Sequence, residues 1–183
     1  MKKVLLIIFL CACISISCEK EIDPYLITPK SVGMINDSTQ VRDLKAIFVN
    51  DSITRFSEDD EFTGRINDVE IYSKAGEKLL VLSPTEANDS TAIFNTVRVL
   101  DERYKTEKNI SILSTFKDIN DAYQISKIDN LINSVVVTVN EINASFTIDK
   151  KELPSNTRFD NSMTISAIQI PDNAKIKFFM IHW

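Results

Sequence analysis

Few residues in this chain of 183 are of the types that do chemistry. His182 is the only histidine, beside three cysteines and three glycines. A Ser-His-Asp triad would have to use His182 as its base, from the penultimate position. The residues before it are apolar, which fits an imidazole at the end of a packed strand better than a catalytic one. One histidine, with no cysteine after residue 18, cannot build a zinc site from the usual ligands. Gly33, Gly64 and Gly76 lie far apart. Phosphate-cradling loops need closely spaced glycines, so that backbone N–H groups can approach the anion. Neither the dinucleotide fingerprint nor the P-loop can be written here. Glu58-Asp59-Asp60-Glu61 is the densest acidic run. Consecutive carboxylates do not converge on calcium without a shaped loop, and the EF-hand pattern is missing. A solvated loop is expected there. Arg103-Tyr104-Lys105-Thr106 is a basic island that either grips an anionic group or serves as an exposed connector. No residue is assigned a catalytic, cofactor-binding or metal-ligating role.

Cys18 is the one residue with a nameable chemical role. Lys2 and Lys3 precede an apolar stretch over residues 4–16. The stretch falls short of the roughly 20 apolar residues that span a bilayer. It has the three-part form of a secretory signal. Polarity switches directly after Cys18, at Glu19, Lys20 and Glu21. The segment resembles a bacterial lipoprotein signal, in which apolar and small residues precede a cysteine that receives diacylglycerol before cleavage. Leu10-Cys11-Ala12-Cys13 matches that box at Leu10 and Ala12, which makes Cys13 the competing attachment residue. Ser15-Ile16-Ser17-Cys18 departs from it at Ser15. Cleavage before Cys13, however, would strand Ile14-Ser15-Ile16-Ser17 on the mature tether. The expected attachment residue is Cys18, with residues 1–17 removed. An ordinary cleaved signal with cysteines as apolar filler is the plain alternative.

The resemblance implies a membrane partner held through lipid on Cys18, at the outer membrane of a Gram-negative cell. Cys18-Glu19-Lys20-Glu21-Ile22-Asp23 also resembles the export signal of surface-exposed lipoproteins. Lys20 and Glu21 match it, and Ile22 interrupts the acidic pair. That similarity implies the cell surface rather than the periplasmic face.

The body that follows is ordinary in composition for a globular fold, at 44 % hydrophobic and 26 % charged residues. The formal net charge is −5. Without Lys2 and Lys3 the balance is 19 basic against 26 acidic residues, or −7. Such a surface repels phosphate backbones, so no nucleic acid partner is expected.

The elements that must position any site follow from periodicity. Residues 18–30, with Pro24 and Pro29, read as an extended tether. Asp37, Ser38 or Thr39 is placed to cap a helix on which Val41, Leu44, Ile47 and Phe48 share one face. Strands are expected over residues 52–56, 69–72, 78–82 and 91–100, with Ile93, Val97 and Val99 in one phase. Residues 57–67 read as a loop. After a charged connector the order recurs. Ser114 or Thr115 caps a helix carrying Phe116, Ile119 and Tyr123. Strands follow over residues 135–139, 144–148, 163–170 and 175–183. The last is apolar on both faces and so central or covered. Phe178, Phe179, Met180, Ile181 and Trp183 read as core, or, with one face open, as a partner site anchored by Trp183.

The expected class is α+β: an antiparallel sheet with helices on one face, in two tandem helix-plus-strands repeats over residues 31–107 and 108–183. Val32-Gly33-Met34-Ile35 before the first helix and Asn109-Ile110-Ser111-Ile112 before the second resemble the helix entries of small repeated α+β proteins. These include the β-lactamase-inhibitor proteins and an outer-membrane-assembly lipoprotein family. The second stretch has Asn109 where the first has glycine. The resemblance implies binding or assembly rather than catalysis. The expected function is a lipid-anchored envelope lipoprotein with a non-enzymatic role and an envelope protein as partner. A surface or periplasmic hydrolase with a carboxylate pair, whose separation is purely spatial, is the alternative. A structural envelope component is the third reading.

Overall fold

The computed structural model describes residues 23–55, 68–158 and 163–183. Cys11, Cys13, Cys18, the acidic run at residues 58–61 and the loop expected over residues 57–67 lie outside these residues.

The strands are β1 (Leu26–Thr28), β2 (Ser31–Val32), β3 (Ile35–Asn36), β4 (Ser52–Arg55), β5 (Val69–Tyr72) and β6 (Lys78–Pro84). They continue with β7 (Phe94–Val99), β8 (Lys105–Thr106), β9 (Lys127–Asn130), β10 (Ser134–Val139), β11 (Ala144–Asp149) and β12 (Ile176–His182). The helices are short: α1 (Leu44–Ile47), α2 (Phe116–Ala122) and α3 (Ser155–Arg158). The protein is therefore mostly β, not the α+β protein its helical spacings imply.

Eight strands form one antiparallel sheet in the order β4-β5-β6-β7-β12-β11-β10-β9. It consists of two meanders joined side by side through β7 and β12, where Val99 faces Phe179 and Val97 faces Ile181. β12 is thus central, as its two apolar faces require. A smaller sheet, β3-β2-β1-β8, has the one parallel pair, β1 with β8.

Period-2 alternation places the core on one face of the large sheet. One row crosses it through Ile71, Leu80, Val99, Phe179, Phe146 and Val137. The next crosses through Val69, Leu82, Val97, Ile181, Ala144 and Val139. All twelve side chains are buried. Phe146 stacks on Phe179 with ring centroids 4.6 Å apart. Each such large side chain stabilises the fold by roughly 1.5–3 kcal/mol through burial. Leu44, Phe48, Phe116, Ile119 and Tyr123 belong to the same core, as does Ile27 of the small sheet.

The first cap falls on Gln40, whose N–H donates to Asp43 Oδ2 at 3.0 Å. It does not fall on residues 37–39, because Asn36 engages them: its Oδ1 accepts from the Ser38 N–H at 3.0 Å and the Ser38 hydroxyl at 2.7 Å. A 3-10 turn, Val41–Asp43, then leads into α1. The second cap is Thr115, as expected, in a reciprocal box with Asp118. Each first turn also bonds to the loop before a strand. The Val41 N–H donates to Ala92 O and the Phe116 N–H to Ala174 O, at 3.0 and 2.9 Å.

Three expectations change. Residues 163–170 are not a strand: Ser166 opens a 3-10 turn, Ala167–Gln169, and β12 occupies the place between β7 and β11. Phe94 rather than Ile93 joins the core, since a bulge opposite Ser83 and Pro84 shifts the phase of β7. The stretch read as tether carries β1, paired on both sides, with Ile27 buried.

Candidate functional site

The chain enters the fold through a clamp. The Tyr25 N–H donates to the Asp23 carboxylate at 2.9 Å. The Tyr25 ring meets Tyr104 edge-on at 5.2 Å, and the Arg103 guanidinium lies over it at 4.8 Å. Arg103 grips Asp101 with Nε and Nη2, at 2.8 and 2.9 Å, and donates from Nη1 to the Tyr25 hydroxyl at 2.9 Å. That bidentate bond holds the Asp101 carboxyl below its ordinary range, against a burial that pushes it up. Burial raises the Tyr104 phenol. Gly33 (φ +58°) completes the clamp: a Cβ there would sit 2.2 Å from Pro24 O and 3.0 Å from the Tyr104 ring. The basic island at residues 103–106 is therefore no anion site. Arg103 is satisfied by Asp101 and Tyr25, Tyr104 and Thr106 are buried, and Lys105 alone projects.

The second face of the sheet carries polar groups in one row: Thr54, Glu70, Val81, Arg98, Met180, Ser145, Thr138 and Lys127 face one another in turn. Glu70 is fully buried, pairs with Lys78 at 2.6 Å and accepts from the Tyr72 hydroxyl. Burial disfavours the Lys78 charge, but the bonds to Glu70 and Tyr72 prevail and raise its pKa. Arg98 and Lys177 each lie 5.6 Å from the Phe178 ring, one beside the other on this face. His182 ends the row of Ser83 and Thr96, and its Nε2 lies 2.7 Å from Ser145 Oγ. Burial lowers the His182 pKa. Among the described residues no carboxylate hydrogen-bonds the imidazole, so the pair with Ser145 is a structural hydrogen bond. Trp183 packs on the core and its backbone N–H donates to Asn95 O at 3.0 Å, so it offers no exposed anchor.

The resolved carboxylate shifts all favour the ionised form. Asp89 is lowered by the Thr91 N–H and hydroxyl, Asp118 by those of Thr115, and Asp149 by the Lys151 N–H and the Lys177 ammonium. A general acid needs the opposite shift. Among the described residues, no three His, Cys, Asp or Glu side chains converge as a metal-holding group.

Among the described residues, three open grooves stand out on the surface. One of about 570 Å³ runs along α2, from Lys108 to Asp118 and Ala122. One of about 530 Å³ adjoins the clamp and contains Glu77, Glu102, Arg103 and the exposed Leu113. The third, about 610 Å³, is lined by Ile132, Asn133, Asp149, Lys150, Lys151, Arg158 and Lys177. Its described lining is mainly basic: Lys151, Arg158 and Lys177, with the buried Lys150, beside Asp149. Asp149 binds Lys177 at 3.1 Å and Lys151 at 4.0 Å, and Arg158 Nε donates to Leu153 O. The groove lies where β10 begins, β11 ends and β12 begins. Sequence spacing hides it, because the β9–β10 hairpin, the segment after β11 and the start of β12 supply its residues. Only Lys150-Lys151 stands out locally.

No family's sequence model matches the chain, and no curated protein matches it. A solved structure does: the crystal structure of the uncharacterized protein yfeY from Escherichia coli. The likeness has a TM-score of 0.53 at 13 % identity and covers 86 % of this chain and 99 % of that one. It establishes a shared fold.

Proposed function

We propose that this protein is a lipid-anchored envelope lipoprotein, with Cys18 as the thioether to lipid and a body that binds rather than catalyses. The observation that carries this reading is the abrupt boundary at Cys18: thirteen residues of apolar signal behind two lysines, then a charged segment. The clamp supports it, because Asp23 and Tyr25 fix the chain to the body only a few residues after that cysteine. The several acyl chains of such an anchor hold a protein on a membrane effectively for its lifetime, since each buried CH₂ contributes about 0.8 kcal/mol. The location we infer is the outer membrane of a Gram-negative cell, with the cell surface indicated by Lys20 and Glu21. An envelope protein is the inferred partner.

We further infer two tandem helix-plus-strands repeats, over residues 31–107 and 108–183. Several parallels support this. Gln40 bridges Ile93 and Thr115 bridges Lys175, each at a helix cap and just before a meander's last strand. The Arg42 N–H donates to Ser90 O, and the Lys117 N–H to Asp172 O. Bulges interrupt β7 and β12 at the same place relative to these bridges. In this alignment Phe179 and Ile181 stand for Val97 and Val99, and Phe146 for Leu82. Gly33 and Asn109 both take left-handed backbone, at φ +58° and +63°, which asparagine tolerates better than other side chains do.

Metabolic labelling with palmitate tests the anchor. Wild type should incorporate label and Cys18→Ala should not. Label retained in Cys18→Ala and lost in Cys13→Ala would move the anchor to Cys13, and no label in any of the three would remove it. Surface proteolysis of intact cells then distinguishes outward from periplasmic orientation.

A further inference from the structure

The end of the large sheet that holds the clamp can be traced strand by strand. Tyr25 and Arg103 sit beside the start of β6 and the end of β7, since Leu100 and Asp101 both donate N–H bonds to Leu79 O. The register carries that end across the sheet. Val99 at the end of β7 faces Phe179 in the middle of β12, whose first residues extend beyond β7 at this end; Ile148 near the end of β11 faces Ile176 at the start of β12, and Ser134 at the start of β10 faces Asp149. The cationic groove and the β9–β10 hairpin tip therefore lie at the same end of the sheet as the chain's entry. From β6 to β11 is three inter-strand steps, or about 14 Å.

This end also gathers apolar side chains in water. Ile132 at the hairpin tip is 74 % exposed, Leu131 48 % and Leu113, by the clamp, 69 %. Five peptide steps separate Cys18 from Asp23, a reach of at most about 18 Å. A lipid on Cys18 thus keeps the clamp within about 18 Å of the attachment point in the bilayer. Glu77 and Glu102 lie on the clamp side of the end. Lys150, Lys151, Arg158 and Lys177 lie on the hairpin side, with Asp149 engaged by two of them.

We propose that the hairpin tip and this cationic groove form a docking surface for an anionic phospholipid bilayer, with Leu131 and Ile132 entering the interface and Lys151, Lys177 and Arg158 contacting lipid phosphates. The inference rests on the lipid-anchor reading for its geometry. Apolar insertion beside basic side chains is the pairing that holds peripheral proteins on anionic membranes. It also gives the tethered body a fixed orientation, strands upright and turn 140–143 outermost.

The test uses the processed chain, residues 18–183, with Cys18→Ser so that no lipid is attached. Its core lies wholly between Ile27 and Ile181. Sedimentation with phosphatidylcholine vesicles is compared with and without phosphatidylglycerol. Binding should require phosphatidylglycerol and weaken with salt. Lys151→Gln with Lys177→Gln should weaken it about 25-fold, at about fivefold per lysine. Ile132→Ser should weaken it further, and Lys127→Gln, at the opposite end of the sheet, should leave it unchanged. Thermal melting of each variant verifies the fold. Absent binding, equal binding to both vesicle types, or wild-type binding by the folded double-lysine variant overturns the proposal. The anchor stands or falls separately, by palmitate label on the intact protein.

Discussion

Replacing Gly33 probes whether the chain's entry is locked to the body. The residue has φ +58°, and an added Cβ would lie 2.2 Å from Pro24 O. Ordinary contact begins at 3.4 Å, so the Pro24 carbonyl must retreat. Its neighbour Leu26 accepts from the Gly33 N–H at 2.8 Å, and Tyr25 between them carries the Arg103 bond. The backbone term for alanine is about 1–2 kcal/mol, and a weakened hydrogen bond adds about 1 kcal/mol. Gly33→Ala should therefore cost roughly 2–3 kcal/mol, lowering the melting temperature by roughly 4–12 °C for a domain of this size. Hydrogen exchange at residues 26–28 should quicken more than exchange in β7 or β12. Gly33→Asn separates the two causes: asparagine tolerates the dihedral, but its Cβ still meets Pro24. Asn109→Gly, at φ +63°, is the matched control and should change stability by under about 1 kcal/mol. If Gly33→Asn melts with wild type, Pro24 does not press on this position and the locked entry is wrong.

Phe146→Ala removes a buried ring stacked on Phe179 at the middle of the core and should cost about 3–5 kcal/mol in chemical denaturation. Thr115→Ala removes the α2 cap and should cost about 1 kcal/mol. In the wild type the Thr115 bonds lower the Asp118 pKa, so their stabilisation is complete above the unfolded carboxyl's pKa and is lost as pH falls through the lower folded value, a slope that Asp118→Asn should flatten. His182 is the sole histidine, so its ring signal can be followed by NMR without ambiguity and should titrate below 6.5. Burial favours its neutral form, so stability is full above about 6.5 and falls as pH drops from there through the folded pKa; a midpoint above 6.5 contradicts this. Arg103→Lys keeps the charge but loses the fork on Asp101, and should free the Tyr25 ring in NMR spectra while shifting the melt by under about 3 °C.

What the sequence made legible was periodicity backed by burial. Val41, Leu44 and Phe48, and then Phe116, Ile119 and Tyr123, keep 3- and 4-residue spacing because one helical face meets the sheet. The β-branched run of β10 and the two-sided apolar pattern of β12 read directly as strands. β9 was hidden, because Lys-Ile-Asp-Asn at a sheet edge needs little apolar surface. Residues 163–170 alternate like a strand, yet every neighbouring place in the sheet was already filled. A bulge moved Phe94 into the phase assigned to Ile93, and no local residue type announces a bulge. Glu70 had no signal either: the buried carboxylate is met by Lys78 and Tyr72, which arrive from adjoining positions on the same hairpin. The cationic groove was invisible for the same reason, being made where the β9–β10 hairpin, the segment after β11 and the start of β12 meet.

The placement of β12 between β7 and β11 has a consequence for biogenesis. Until β12 has been made, β7 presents an unpaired apolar edge, and the two meanders have no shared ladder. The strand that joins them closes loops of about eighty residues back to β7, an ordering cost that falls late in folding. A chain that still lacks β12 is thereby kept from forming its finished core early. It is most open to sticking to other chains in the interval before β12 docks.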